Sequence, residues 1–418
     1  MKKIFFLYNN YERERVIIER ICAKFKLMNI SVFRGGITDK DIVKQLFQVR
    51  PHIIFTFPIT TYTQIDIYMM AKIFFHSKII TFTTEGLAKF QEEEVAKVFA
   101  GFYDYPAGLV DYHTYWGRYA AKYIGRELYQ QHKMQNWDQI RVFGNPMYEK
   151  DYSAFPKYRF SENVRIKVLV LTGFHGSLYT EQDLLKAQDV VNVKVKSKKE
   201  ILSDKTFKKY REMTLEEKKY SEKYMQHIID AADNNPEVLF AIKLHPQEIL
   251  IRQRTPYKLK YLKRMEHIEN IQIIDESIPI GSLLPDFQLL VHYGSTVDLE
   301  AYIYKVPTLK LELRNVKNNF MSETNRVTAS TYYADIDEQD AISKYVVKLK
   351  EGKDLFRKNQ ITEKQLYAYM NYMNEQTYKP SEQIADFLSK PLKFHRLNLS
   401  VFEKLRWMKW GIKNYFYF

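Results

Sequence analysis

Val238-Leu239-Phe240-Ala241-Ile242-Lys243-Leu244-His245-Pro246 is the stretch from which the rest of the chain can be read. Its first five residues form an apolar run of strand length, bounded by a His-Pro step, and read as a buried strand. The pattern recurs downstream. Leu289-Leu290-Val291-His292-Tyr293 is a second apolar run, followed by Gly294-Ser295-Thr296 and then an amphipathic stretch, 297–304, that reads as a helix. A His at one strand end and a Gly-Ser-Thr turn at a strand-to-helix junction suit an anion at the carboxyl edge of a sheet. Backbone N–H groups and the helix dipole favour negative charge there, and the Ser and Thr hydroxyls add donors. A nucleotide phosphate is the ligand this pattern points to.

Outward from these two runs, the same alternation fills most of the sequence. In the first 150 residues, short apolar strands are expected at 4–8, 30–34, 53–57, 79–82 and 141–143, with helices at 13–27, 39–48, 63–75 and 115–131. A polar segment with Pro156 separates this block from a second one. There the expected strands are 166–172, 237–244, 271–274, 287–292 and 308–311. Strands alternating with helices predict a doubly wound parallel sheet in each block. The Lys- and Glu-rich stretch 194–224 reads as solvated helix faces and loop. After Tyr333 the pattern turns helical at 341–355, 363–373 and 381–388. The expected fold is α/β, with two Rossmann-like domains (1–155 and 165–335) facing a cleft and a helical C-terminal extension (336–418).

Composition is consistent with that division. A chain of 418 residues exceeds the roughly 250–300 at which single cores stop growing. Hydrophobic residues make up 45%, and 32 Tyr with 27 Phe put aromatic rings in many interior positions. A formal net charge of +14 implies attraction to something acidic: nucleic acid, anionic lipid or a phosphorylated substrate. Nucleic acid is disfavoured, because the charge-rich stretches are mixed in sign and carry no basic stripe with interleaved aromatics. The single cysteine, Cys22, excludes an internal disulfide and a thiolate zinc site, and reads as a small core residue in a reducing compartment. Met1-Lys2-Lys3 followed by Ile4–Tyr8 is too short an apolar run for a signal peptide and reads as a first strand. No stretch approaches the ~20 apolar residues of a membrane span. A cytoplasmic protein, peripheral on the inner face of the cell membrane, is expected.

Several segments in order resemble the bacterial surface-carbohydrate biosynthesis glycosyltransferases of GT-B architecture, and more loosely the capsule Kdo-transferase and bacterial sialyltransferase groups. Thr84-Glu85-Gly86 is similar to the acidic-acidic-Gly motif of their acceptor domain, with Thr84 in place of the first acid. Tyr115-Trp116-Gly117 and Phe143-Gly144-Asn145-Pro146 resemble the W-G and G-N-P segments. The strand 168–172 with Gly173 resembles the one opening the donor domain, Gly173 replacing a common Asn. Lys243–Pro246 matches the H-P motif, and Ser295-Thr296 with Glu300-Ala301 matches the S-[ST]…E-A turn, closed by Val306-Pro307. The resemblance implies transfer of a sugar, Kdo-like or nonulosonic, from a CMP donor to a cell-surface polysaccharide or glycolipid. A UDP-sugar donor, or a CDP-polyol phosphotransferase of teichoic-acid type, stays open beside it.

Candidate roles follow from the residue types. His245 can hydrogen-bond or protonate a leaving phosphate, with Lys243 and Pro246 beside it. Gly294, Ser295 and Thr296 would hold the same phosphate, and Glu300 a ribose hydroxyl; Gly173 and Ser277 are further donor-side candidates. Glu85 is the candidate base for the acceptor hydroxyl, a role resting largely on the resemblance, and Asp111 and His113 are acceptor-side candidates. No D-x-D with apolar flanks is read at a strand end, so no metal or other cofactor is expected. The expected partners are a nucleotide-activated sugar and a glycan or lipid-linked glycan acceptor. In the tail, 394–418, Trp407, Trp410 and Tyr415 alternate with Arg396, Lys404, Arg406, Lys409 and Lys413. An aromatic and cationic segment of this kind suits an anionic membrane surface, or else a helix packed on the domains.

Overall fold

In the computed structural model the ten strands expected from the apolar runs, joined by two that were not expected, form two six-stranded sheets, all parallel. The structure describes the chain except residues 27, 59–61, 84–104, 154, 156, 161–163, 174–203, 247, 250–259, 275–277, 296, 313–329, 357–378, 398 and 417–418. It separates into two compact units, one of residues 1–151 with 363–418, the other of 152–362.

In the first unit the strands are β1 (Lys2–Tyr8), β2 (Ile30–Gly36), β3 (Ile53–Thr56), β4 (Lys78–Phe82), β5 (Tyr112–Tyr115) and β6 (Ile140–Val142), in the order β2-β1-β3-β4-β5-β6. Helices α1 (Tyr11–Phe25), α2 (Ile42–Val49), α3 (Tyr62–Phe75) and α4 (Arg118–Gln130) provide the crossovers described between them. Strands such as β3, Ile53-Ile54-Phe55-Thr56, are buried throughout, as a sheet covered on both faces requires. Cys22 lies in this core, where burial pushes its thiol up to about 11.

The second unit is also a six-stranded parallel sheet, in a different strand order. Its strands are β7 (Ile166–Leu171), β8 (Val238–Lys243), β9 (Ile271–Ile274), β10 (Leu289–His292), β11 (Thr308–Glu312) and β12 (Tyr332–Asp335), in the order β12-β11-β10-β7-β8-β9. Along β7, Val168 and Val170 enter one core and Leu169 and Leu171 the other, the alternation a pleated strand imposes. The helices here are α5 (Asp204–Asp233), α6 (Lys260–Met265), α7 (Ile280–Leu283), α8 (Val297–Tyr304) and α9 (Ala341–Lys350). Much of the stretch expected as solvated faces and loop is thus one long helix. Tyr220, Tyr224, Met225, Ile228 and Ile229 of α5 are buried in the core against β7 and β8.

Residues 336–418, expected as one separate extension, divide instead. α9 packs on α5 in the second unit. α10 (Pro380–Ser389) packs on α1, and α11 (Val401–Phe416) packs on α2 and α3, both in the first unit. The segment expected as a helix over 363–373 lies outside the described residues. Lys24 pairs with Glu382 at 2.9 Å, and Glu149 accepts bonds from the Ser381 N–H (2.6 Å) and hydroxyl (2.9 Å), which fastens α10 down. No helix among the described residues is long and apolar enough to cross a membrane.

Candidate functional site

β7 is the switch point of the second sheet: β8 and β9 lie on one side of it, β10 to β12 on the other. In open parallel sheets the chain diverges at such a point, and a crevice opens at the carboxyl ends of the flanking strands. The carboxyl end of β7 carries Thr172 and Gly173, that of β8 carries Lys243 to Pro246, and that of β10 carries Tyr293 to Ser295. His245 and Ser295 therefore stand on either side of one strand, their backbones about 10 Å apart at ordinary strand spacing.

Each side is held by bonds the apolar runs do not announce. On the β8 side the His245 N–H donates to Thr172 Oγ1 (3.1 Å) and to Glu248 Oε2 (3.0 Å), and the Thr172 hydroxyl donates to the same carboxylate. Glu248 is fully buried, while His245 and Pro246 are partly exposed, so the backbone is anchored where the ring can still meet a ligand. Pro246 opens the helical turn that brings Glu248 back, since the Glu248 and Ile249 N–H groups both donate to the His245 carbonyl. Pro at a first helical position sacrifices no hydrogen bond. Lys243 is buried beside this turn.

On the β10 side, the Ser295 N–H donates to His292 Nδ1 at 3.1 Å. That leaves the ring proton on Nε2, which lies 2.7 Å from Asp298 Oδ1 and 3.0 Å from Ser330 Oγ. Ser330 in turn donates to Asp298 Oδ2 at 2.8 Å, and all three side chains are buried. The chain bends at Gly294, exposed and at φ +154°, a region open in practice to glycine. Ser295 Oγ then accepts from the Val297 N–H (3.2 Å), starting α8. The two sides join through Tyr293, whose hydroxyl donates to the Gly173 carbonyl at 2.5 Å. Glu300, buried on α8, accepts from the Tyr152 hydroxyl at 3.2 Å.

The sequence-based candidates divide accordingly. Lys243, His245, Pro246, Gly173, Gly294 and Ser295 lie together at this edge, and Glu300 is one turn along α8. Glu85, Ser277 and Thr296 lie outside the described residues. Asp111 and His113, taken as acceptor contacts, are corrected: both are buried in the first unit. Asp111 accepts from Lys72 Nζ (3.0 Å), the Ile79 N–H (2.8 Å) and the His395 N–H (2.6 Å), so its carboxylate is spent on folding. His113 Nδ1 lies 3.2 Å from the Thr81 hydroxyl, and burial, with the His395 and Lys133 charges, pushes its pKa down to about 3. The Phe143–Pro146 segment is likewise structural, since Asn145 caps the Met147 N–H at 3.0 Å and Arg20 donates to the Met147 carbonyl at 3.1 Å. Thr172, Glu248, His292, Asp298 and Ser330 were missed; the one available signal was a second His at a strand end.

No protein-family model matches the chain, and none of the curated proteins matches it in sequence. Solved structures do match in shape. The S. aureus MnaA–UDP complex is 10% identical with a TM-score of 0.51, covering 94% of this chain and 100% of that one. A putative UDP-N-acetylglucosamine 2-epimerase from Listeria monocytogenes is also 10% identical, with a TM-score of 0.51 and coverage of 96% and 100%. A variant of the wall teichoic acid polymerase TagF is 10% identical, with a TM-score of 0.52 and coverage of 93% and 88%. The fold is GT-B-like. Within it, the site described lies at the carboxyl edge of the second Rossmann-like unit.

Proposed function

We propose that the protein is a nucleotide-dependent transferase of surface-glycan synthesis, which binds the phosphates of its donor at the carboxyl edge of the second unit. One observation carries this reading: a partly exposed His245 on a backbone pinned by Thr172 and Glu248, across one strand from the Gly294-Ser295 turn pinned by His292. Donors fixed in advance around developing phosphate charge are what departure of a nucleotide requires. The fold likeness to proteins whose names include UDP, UDP-N-acetylglucosamine and teichoic acid supports a nucleotide-activated donor.

In the glycosyl-transfer form of the proposal, an acceptor hydroxyl oxygen attacks the anomeric carbon of a Kdo-like or nonulosonic sugar carried by CMP. The carbon–oxygen bond to the phosphate breaks and its electron pair leaves with the nucleotide. His245 hydrogen-bonds or protonates that phosphate, Ser295 and Thr296 add donors, and Glu85 takes the hydroxyl proton. A UDP-sugar would be handled identically. A second form fits the same fold, which TagF shares: the acceptor attacks the β-phosphorus of a CDP-polyol and CMP departs. Product analysis with the purified full chain separates them, because the phosphate travels with the transferred group only in the second. In either form His245→Ala should lower turnover by about 10²–10³-fold. Turnover undiminished in His245→Ala would overturn the proposal.

A further inference from the structure

We propose that the outward face of α11 is a docking surface for anionic phospholipid, seating the first unit on a bilayer. Three aromatic residues of this helix that suited a membrane in sequence are turned the other way. Trp407, Trp410 and Tyr415 pack against the core of the first unit, with the Tyr415 ring 4.9 Å from that of Phe47. Gly411 permits the close approach: a Cβ there would stand 2.9 Å from Met70 Cγ and from Phe74 Cε2. With that side docked, the helix presents Leu405, Met408 and Ile412 outward, 55%, 37% and 47% exposed. Spacings of three and four residues align these three side chains as one apolar stripe.

Charge decides what covers the stripe. Lys409 and Lys413 border it on one side and Lys404 on the other, all three exposed and none in an ion pair among the described residues. Arg406 instead lies within electrostatic reach of Asp66 on α3. Glu403, the one acid in the helix, is occupied at the helix start, accepting from the Ser400 N–H (2.8 Å) and hydroxyl (2.7 Å). An apolar strip edged by long cations can sink to the acyl boundary while its ammonium groups remain among phosphates. A second copy of the chain is a poor occupant, because two-fold pairing would set lysines against lysines. The inference is independent of the donor chemistry proposed above.

The test is co-sedimentation of the full chain with vesicles of phosphatidylcholine alone, or of phosphatidylcholine mixed with phosphatidylglycerol. Binding should favour the mixed vesicles by at least about tenfold and weaken as salt rises. Leu405→Gln with Ile412→Gln should abolish it, and Lys409→Glu with Lys413→Glu should erase the preference for anionic lipid. All four positions are exposed, so the melting temperature of each variant should match the parent. No binding, equal binding to both vesicles, or unchanged binding by the variants would overturn the proposal. So would a parent dimer that the Leu405→Gln, Ile412→Gln variant dissociates.

Discussion

Gly173 and Tyr293 compete for one space. A Cβ on Gly173 would lie 2.7 Å from the Tyr293 hydroxyl, the group that bonds the Gly173 carbonyl and ties β10 to β7. An Asn in the place of Gly173 is thus incompatible with a Tyr at 293 as it sits here. Gly173→Ala should destabilise the chain by about 1–3 kcal/mol, the usual range for overpacking. The same change in a Tyr293→Phe background should cost clearly less, since the clashing oxygen is gone; urea unfolding of the four variants measures the coupling. Equal costs in both backgrounds would show that the two positions do not interact. His292 shows the same economy. Its two ring nitrogens serve different partners, the Ser295 N–H and the Asp298–Ser330 pair, so one buried ring sets the turn at the candidate phosphate site.

β5 reads Tyr112-His113-Thr114-Tyr115 and is buried at every position. Its polar residues drew it towards a functional assignment and away from a strand, because a run of apolar side chains was the signal for buried β structure. The polar atoms are met by long-range partners instead: Thr114 donates to the Thr81 carbonyl at 2.9 Å, and His113 meets Thr81. One consequence is measurable. The folded pKa of His113, about 3, lies below the unfolded value of roughly 6.5. The unfolded chain therefore takes up the proton first, and stability falls as pH drops from 6.5 towards 3, by up to about 1.4 kcal/mol per pH unit for this one group. His113→Asn should flatten that slope in denaturant titrations, whereas an unchanged slope would mean the ring titrates normally. β12 escaped notice for a different reason: at the sheet edge only Ala334 of its four residues is buried. Strands in the interior, such as β8 and β10, were legible from composition, and so was α8. The cradle of Thr172, Glu248 and Ser330 was not, since the bonds of Thr172 and Ser330 join residues 32 to 76 positions apart.

At the scale of the whole chain, both units are six-stranded parallel sheets, but their strand orders differ and so does the way the C-terminal residues serve them. The chain returns to the first unit, and Lys72 holds it there. Its buried ammonium donates to the His395 carbonyl (2.8 Å) and to Asp111 (3.0 Å), and also to the Gly108 carbonyl. Burial lowers the Lys72 pKa, while Asp111 opposes that shift. Lys72→Met would strand Asp111 without its cation and should cost about 3–5 kcal/mol, read from the unfolding transition of the first unit. Lys72→Met with Asp111→Asn should recover part of that loss. The central claim concerns the other unit, that a nucleotide phosphate sits between His245 and Ser295. Its most direct test is a thermal-shift panel of CMP, CDP, UDP and GDP on the parent chain and on Ser295→Ala. At least one nucleotide should raise the melting temperature of the parent, and the rise should shrink in the variant. No shift with any of the four, or the same shift in both proteins, would contradict the account.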